Sequence, residues 1–305
     1  ALGEQRIDVD GLTLAALGLT LDGEAQVTDL DTEPAVTARL GSDTFSPREM
    51  MTTLGIEPPV TADESVLSSA SLALALAATP ASAALTDVAL TLDDTTFGGE
   101  ASVPSLGGEG LPPLRFDFAV DAIDLDRYLP PSSDAPAEQT PDEPAPPADP
   151  DAPIALPTDL LRQLDVDGVF RVGSVKVANL TTRDIIVPIK AANGRLGVEN
   201  LAAALYEGQL GGSASLDVTG DTPGYATRMA LEGIQADPLL ADLLQDDAFL
   251  SGAGRVTADI TTAGGTVDEL MAGLNGSFDT AFTEGSINGI NIAYQLRRAR
   301  AALTG

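Results

Sequence analysis

The pattern that most constrains this chain is a two-residue alternation of apolar and polar side chains. Over residues 209–218, "QLGGSASLDV", Leu210, Gly212, Ala214, Leu216 and Val218 fall on one side, and Gln209, Gly211, Ser213, Ser215 and Asp217 on the other. Successive side chains of a strand point to opposite faces, so this period describes a strand with one apolar and one polar face. The pattern returns in "SLALALA", which groups Leu72, Leu74 and Leu76, in "GRVTADITT" with Val256, Ala258 and Ile260, and in "SFDTAFTEG" with Phe278, Thr280 and Phe282. "LTLAALGLTLDGEAQV", "DVALTLDDTTFGGEASV" and "PLRFDFAVDAIDL" carry it through the first half. In "DIIVPIKAANGRLGVENL", Ile185, Val187, Ile189 and Ala191 share a face and Asn193-Gly194 supplies a hairpin turn. Pro188 lacks the N–H a ladder needs, which requires a sheet edge or a bulge there. Strands this close together predict a mainly β fold, a meandering antiparallel sheet.

Short helices are expected to interrupt the sheet. "FSPREMMTTLG" offers Ser46 as N-cap, Pro47 at the first helical position, Glu49 as capping-box partner and Gly55 at the stop. "DPLLADLLQDDAFL" repeats the idea with Asp237 and Pro238. "AIDLDRYL", "GIQADPLL" and "GINIAYQL" each join a strand end, a polar turn and a helix start, a loose internal repeat. Between Pro130 and Pro157 lie ten of the 21 prolines, six acidic residues and no basic ones. Proline cannot join a ladder and like charges repel, so this segment is expected to be extended and solvated. It divides the chain into a β module at 1–130, a linker at 131–155 and a second β module at 156–305.

The apolar faces need cover, and composition restricts what supplies it. Of 305 residues 44% are hydrophobic, yet Trp is absent and Tyr and Phe together number twelve, few for a thick single core. A net charge of −30, with Lys only at 176 and 190, lacks the footprint of a nucleic-acid binder. With no Cys there is no thiolate metal site or cysteine nucleophile; with no His the commonest general base and metal ligand are missing. Ser/His/Asp catalysis is excluded, and no phosphate loop or dinucleotide fingerprint occurs. The "DVDG" repeats at 8–11 and 165–168 and the pair Asp93-Asp94 invite a calcium reading. Neither repeat has the further carboxylates an EF-hand loop requires, and turn-forming roles are expected instead. Asn179-Leu180-Thr181 and Asn275-Gly276-Ser277 fit the glycosylation sequon and are read as turns. No catalytic residue, metal or cofactor is assigned, and no enzymatic activity is expected. The most apolar run, 66–85, carries Ser, Thr and Pro80 and reads as strand rather than membrane span. The first residues begin in mid-pattern, without a basic and apolar leader.

In their order, several segments resemble the AsmA family. They are "LDVDG" at 164–168, "LYEGQLGGSASLD", "LSGAGRVTADI", "LMAGLNGSF" and "EGSINGINI", preceded by "LTLDDTTFGGEASV" and "AIDLDRYLPP". The resemblance implies a periplasmic envelope protein of Gram-negative bacteria, anchored to the inner membrane by an N-terminal helix absent from this sequence. It also implies a long sheet curled into a groove, of the kind called a β-taco, whose apolar face carries phospholipid acyl chains between membranes in outer-membrane biogenesis. Envelope protein partners are implied as well, and nucleic acid is not. On that reading Val187, Ile189, Leu210, Ala214, Leu216, Val256, Ile260, Phe278 and Phe282 line the groove, and its small residues leave room for lipid. The alternative is a structural or scaffold protein whose sheets close into a sandwich.

Overall fold

The computed structural model describes residues 6–16, 19–108, 110–131, 153–244 and 250–287. Seven strands fill the first half: β1 (Arg6–Ala16), β2 (Leu19–Thr28), β3 (Ala35–Ser42), β4 (Ala70–Ala78), β5 (Ala83–Leu92), β6 (Thr95–Val103) and β7 (Leu114–Asp124). Seven more follow: β8 (Asp165–Val177), β9 (Leu180–Ala192), β10 (Arg195–Leu205), β11 (Gly208–Asp217), β12 (Gly224–Gln235), β13 (Leu250–Ala263) and β14 (Asn275–Ile287). Helices α1 (Pro47–Thr53), α2 (Thr158–Gln163), α3 (Ala236–Leu244) and α4 (Val267–Ala272), with a 3₁₀ turn at Leu125–Arg127, sit at strand ends.

All fourteen strands form one sheet whose spatial order is the sequence order. Its ends do not join, so it is an open ribbon, about 60 Å long at the usual strand spacing. No second sheet faces it among the described residues, which removes the sandwich. Neighbours are antiparallel except β7 and β8, which run parallel. A parallel pair requires a crossover that brings the chain back to its starting end. The segment between Asp124 and Asp165 makes that return; its proline-rich part, 132–152, lies outside the described residues. Both runs of strands, before and after it, share the one sheet.

Turn chemistry follows the sequence at some positions and not at others: both "DVDG" segments and Asn275-Gly276-Ser277, expected as turns, lie inside β1, β8 and β14. Asn193 and Gly194 have φ of 51° and 76°, as a two-residue hairpin turn requires, and Ala178-Asn179 and Tyr206-Glu207 take the same left-handed pair. Helix α1 is capped as expected: the Ser46 hydroxyl accepts from the Glu49 N–H at 3.3 Å, Pro47 opens the helix, and Gly55 follows with φ of 73°. Pro188 lies in an interior strand opposite Val169, and the β9–β10 ladder is interrupted between Val198 and Ala202. Of the two options the sequence left, the bulge is the one realised.

Such bulges recur within strands. Registers shift between Val9 and Leu12, between Leu85 and Val88, between Val198 and Leu201, and between Glu232 and Ile234, where Gly11, Asp87, Asn200 and Gly233 have positive φ. Each inserted residue bends its strand and increases its twist. The consequence is visible in burial. On β2, β9 and β12 the apolar side is half-buried while most of the polar side is exposed, with helix α3 packed on part of β9 and β12. A sheet curled toward its apolar face shields that face in this way, helped by the larger side chains it carries, which lie flat against their neighbours.

Candidate functional site

The curled face is apolar from end to end. One line of directly paired residues crosses all fourteen strands: Val9, Ala25, Ala38, Leu76, Leu85, Ala101, Phe116, Gly168, Ile189, Val198, Ala214, Thr227, Ile260 and Gly276. Thr227 is the one hydroxyl in it. The adjacent line on the opposite face runs from Asp8 through Gln26 and Thr37 to Arg115, Asp167, Lys190 and Thr261, and is polar or small throughout. Cross-strand pairs such as Arg228–Asp259, Arg195–Asp217, Arg255–Glu232 and Arg39–Glu24 lace this outer face. They are solvent-exposed, so each contributes little to stability, but they keep the outside wet while the inside stays dry.

All nine residues expected to line the groove lie on the curled face. Ile189, Ala214 and Ile260 belong to the line above; Val187 stands opposite Phe170, and Leu216 opposite Leu196 and Tyr225. Leu210 and Val256 both pair with Leu231, while Phe278 meets Ala258 and Phe282 meets Gly254. Their burial differs. Leu210, Val256 and Ile260 are half-buried and Ala214 is exposed; Phe278 and Phe282, on the last strand, are 68% and 50% exposed. The trough is wider than those nine residues. Its first half adds Leu40, Leu76, Leu90, Phe97 and Phe118, and its second adds Met229, Leu231 and Ile234.

Glycines on the trough floor behave differently from the expectation that they leave room. Three of them face a bulky side chain that lies over the position a Cβ would take. A Cβ on Gly212 would come within 2.5 Å of the Met229 sulfur, one on Gly254 within 2.9 Å of the Phe282 ring, and one on Gly168 within 2.4 Å of the Phe116 ring. The space is occupied by side chains folded flat against the sheet. The floor is therefore level rather than pitted.

The rims of the trough carry the caps, and polar anchors fasten them. Above β4–β6, residues 43–69 fold over the strand ends and bury Val66 and Ala70. Arg48 reaches the Pro59 and Val66 carbonyls and the Thr61 hydroxyl, and the Nε of Arg127 donates to Asp63 while one of its terminal nitrogens donates to both oxygens of Asp94. The Asp93 carboxylate accepts from the backbone N–H groups of Leu67, Ser68 and Ser69 and from the Tyr128 hydroxyl. Burial pushes the Asp93 carboxyl up, but the Leu67 N–H, the Tyr128 hydroxyl and the Ser68 and Ser69 N–H groups outweigh it and hold it below the usual value. Burial, with Asp93 alongside, raises the Tyr128 phenol to about 12. Asp63 is held at about 2 by the hydroxyl and N–H of Ser65 and by Arg127. The pair Asp93-Asp94 is thus engaged in fastening a cap, a turn-forming role that fits the sequence.

In the second half, α2 is tied to the β11–β12 turn by Arg162, which donates to the Val218 and Gly220 carbonyls. Helix α3 packs on β12, β13 and β9, and the Tyr206 hydroxyl donates to Asp242 at 2.7 Å. Ala203, Ile234 and Ala236 are buried at that end. The most completely buried apolar side chains thus sit mostly under caps, at the rims; along the middle of the trough Gly168 and Gly254 are buried beneath neighbouring rings. Among the described residues no group of three or more carboxylates is placed to hold a metal ion, and no helix is long and apolar enough to cross a membrane. The "GINIAYQL" member of the loose repeat falls outside the described residues.

Compared with known proteins, the chain matches the AsmA family over residues 3–305, essentially its whole length. No curated protein and no solved structure matches it. Membership of that family suggests an envelope-associated, lipid-related function.

Proposed function

The chain belongs to the AsmA family, and on that premise we propose that its trough holds phospholipid acyl chains and serves lipid movement between the membranes of the cell envelope. The observation that carries this reading is the line of apolar and small residues, with one hydroxyl at Thr227, that crosses all fourteen strands with no second sheet over it among the described residues. A face of that size left to water is costly, at roughly 25 cal/mol per Å² of apolar surface, so it is expected to have a ligand. The ligand has to be long, flexible and without charge, because the floor offers Leu, Val, Ala, Ile and Phe and almost no hydrogen-bonding group. Each methylene taken from water onto it contributes about 0.8 kcal/mol, enough for a single acyl chain to bind without any polar contact. Headgroups would stay at the mouth, in solvent.

In this reading the protein works in the periplasm, is held at the inner membrane, hands lipid toward the outer membrane, and meets other envelope proteins at its ends. It requires no metal and performs no turnover. The test is direct: the protein is purified from a Gram-negative host without detergent, extracted with organic solvent, and the extract analysed by mass spectrometry. Phospholipid at one or more molecules per chain supports the reading. Protein that is folded and lipid-free under those conditions contradicts it.

A further inference from the structure

We infer that the seam where β7 meets β8 is the throat of the trough, the place where an acyl chain crosses from one half to the other, and that Gly168 keeps it open. This rests on the trough reading above and names a contact site within it.

The seam is the one parallel pairing in the sheet, and three of the chain's eight phenylalanines meet there. Phe116 and Phe118 on β7 and Phe170 on β8 have ring centroids 4.8–6.0 Å apart. Their arrangement decides whether they obstruct the trough or pave it. Phe116 stands opposite Gly168, and a Cβ on that glycine would lie 2.4 Å from two atoms of the ring, so the ring occupies the place where a side chain would be. Phe118 stands opposite Gly99 in the same manner, with the ring 2.6 Å from a Cβ built there. The rings lie down over bare backbone. Gly168 has no left-handed φ, so what its position demands is the missing side chain and not glycine's conformational freedom.

Flattened in this way, the three rings form a platform continuous with Ala101 and Leu85 on one side and Ile189 and Val198 on the other. Phe170 is 39% exposed and open to an occupant. Flat aromatic faces bury more apolar area than any aliphatic side chain, which makes the seam the stickiest point along the path for a hydrocarbon chain. Any residue larger than glycine at 168 has to lift the Phe116 ring off the floor into the trough. Gly168 is thus a positioning residue that acts through Phe116.

The chain has no Trp, so Phe170→Trp and, separately, Phe282→Trp each give a single fluorescent reporter, one at the throat and one at the far strand. The probe is phosphatidylcholine brominated at mid-chain, supplied from vesicles, and bromine quenches only a Trp it touches. Both reporters are expected to be quenched. Adding Gly168→Ala is expected to reduce quenching at 170 by several-fold while leaving 282 unchanged, and a further Phe116→Leu is expected to restore it, because the displaced ring is then gone. Because relief of the same clash would also rescue a purely structural defect, urea unfolding of the same samples and the unchanged quenching at 282 separate the two: a structural defect lowers stability or alters both reporters, whereas the throat reading alters 170 alone. Should Gly168→Ala fail to fold, Ala101→Phe, the paired position on the other side of Phe116, plugs the same point. Unchanged quenching at 170 in the plugged variants, absence of rescue, or quenching at 282 with none at 170 overturns the throat while leaving the trough. Silence at both positions overturns the lipid reading itself, and the throat with it.

Discussion

Among the anchors of the cap at the β4–β6 ends, Asp93 makes the most hydrogen bonds, and Asp93→Asn isolates it. Asp93 has φ of 52°, a conformation asparagine tolerates, so the backbone of the turn is undisturbed. One side-chain oxygen accepts from Ser68 and Ser69 at 3.0 and 3.2 Å, and the other accepts from Leu67 at 2.7 Å and from the Tyr128 hydroxyl at 2.9 Å. In the variant the amide oxygen can keep the first pair, at neutral strength. The amide nitrogen then faces the Leu67 N–H, donor against donor, while the Tyr128 hydroxyl can turn and accept. The net loss is the charge on two hydrogen bonds plus one stranded donor. Because the site is only partly buried this amounts to about 2 kcal/mol. Urea unfolding measures it, and amide hydrogen exchange at Ala62 and Asp63, which bond to the Leu129 and Arg127 carbonyls, shows whether the cap loosens first. The pH dependence gives a second check. The folded carboxyl titrates below its ordinary value of 3.8, so its contribution is complete above that pH and is lost as pH falls through the folded value. The gap between wild type and variant should therefore close in acid. A difference under about 0.5 kcal/mol at pH 7, or a gap that widens in acid, refutes the assignment.

Ala214→Phe places a ring on the exposed part of the trough floor; the melting temperature should hold within about 2 °C while bound phospholipid falls, whereas a packed core would lose about 1–3 kcal/mol. Tyr206→Phe removes the hydroxyl that holds Asp242 and accepts from the Thr181 N–H, and should cost about 1 kcal/mol, read as faster amide exchange in α3 and at Thr181. Gly99→Ala forces a Cβ to within 2.2 Å of the Asp117 carbonyl oxygen at a φ of 153°, and should destabilise by about 3 kcal/mol or more in urea. Arg255→Ala, on the outer face, should change stability by less than about 0.5 kcal/mol, because its pair with Glu232 is exposed at both ends.

Much of this architecture was legible in the sequence because a period of two survives any amount of tertiary context. Leu72, Leu74 and Leu76, or Val256 and Ile260, could be assigned to one face by counting. Counting fails where the chain inserts a residue. Val198 and Leu201 share the trough floor although three positions separate them, and so do Leu85 and Val88, because Asn200 and Asp87 sit in bulges whose left-handed backbone neither residue type announces. The parallel step from β7 to β8 was equally hidden: the proline-rich segment marks a break, but nothing in it says that the chain must return to the same end of the sheet. The glycines misled for a different reason. Gly212 was read as space, whereas its paired neighbour Met229, distant in sequence, fills it; Gly168 was read as part of a turn, whereas it lies inside β8 with the Phe116 ring over it. Cap anchors such as Asp93–Tyr128 and Tyr206–Asp242 join residues 35 and 36 positions apart and leave no local signal.

The central claim is that lipid lies on one face of the sheet and not on the other, and adjacent residues can be made to report it. Val198 lies on the trough floor, and Ser215, beside its partner Ala214, lies on the outer face. A photo-crosslinking amino acid placed at each position in turn, activated in living cells and followed by mass spectrometry of the purified protein, records what touches that side chain. The account predicts phospholipid adducts at 198 and none at 215. Equal labelling at both positions, or adducts at 215 alone, would contradict it.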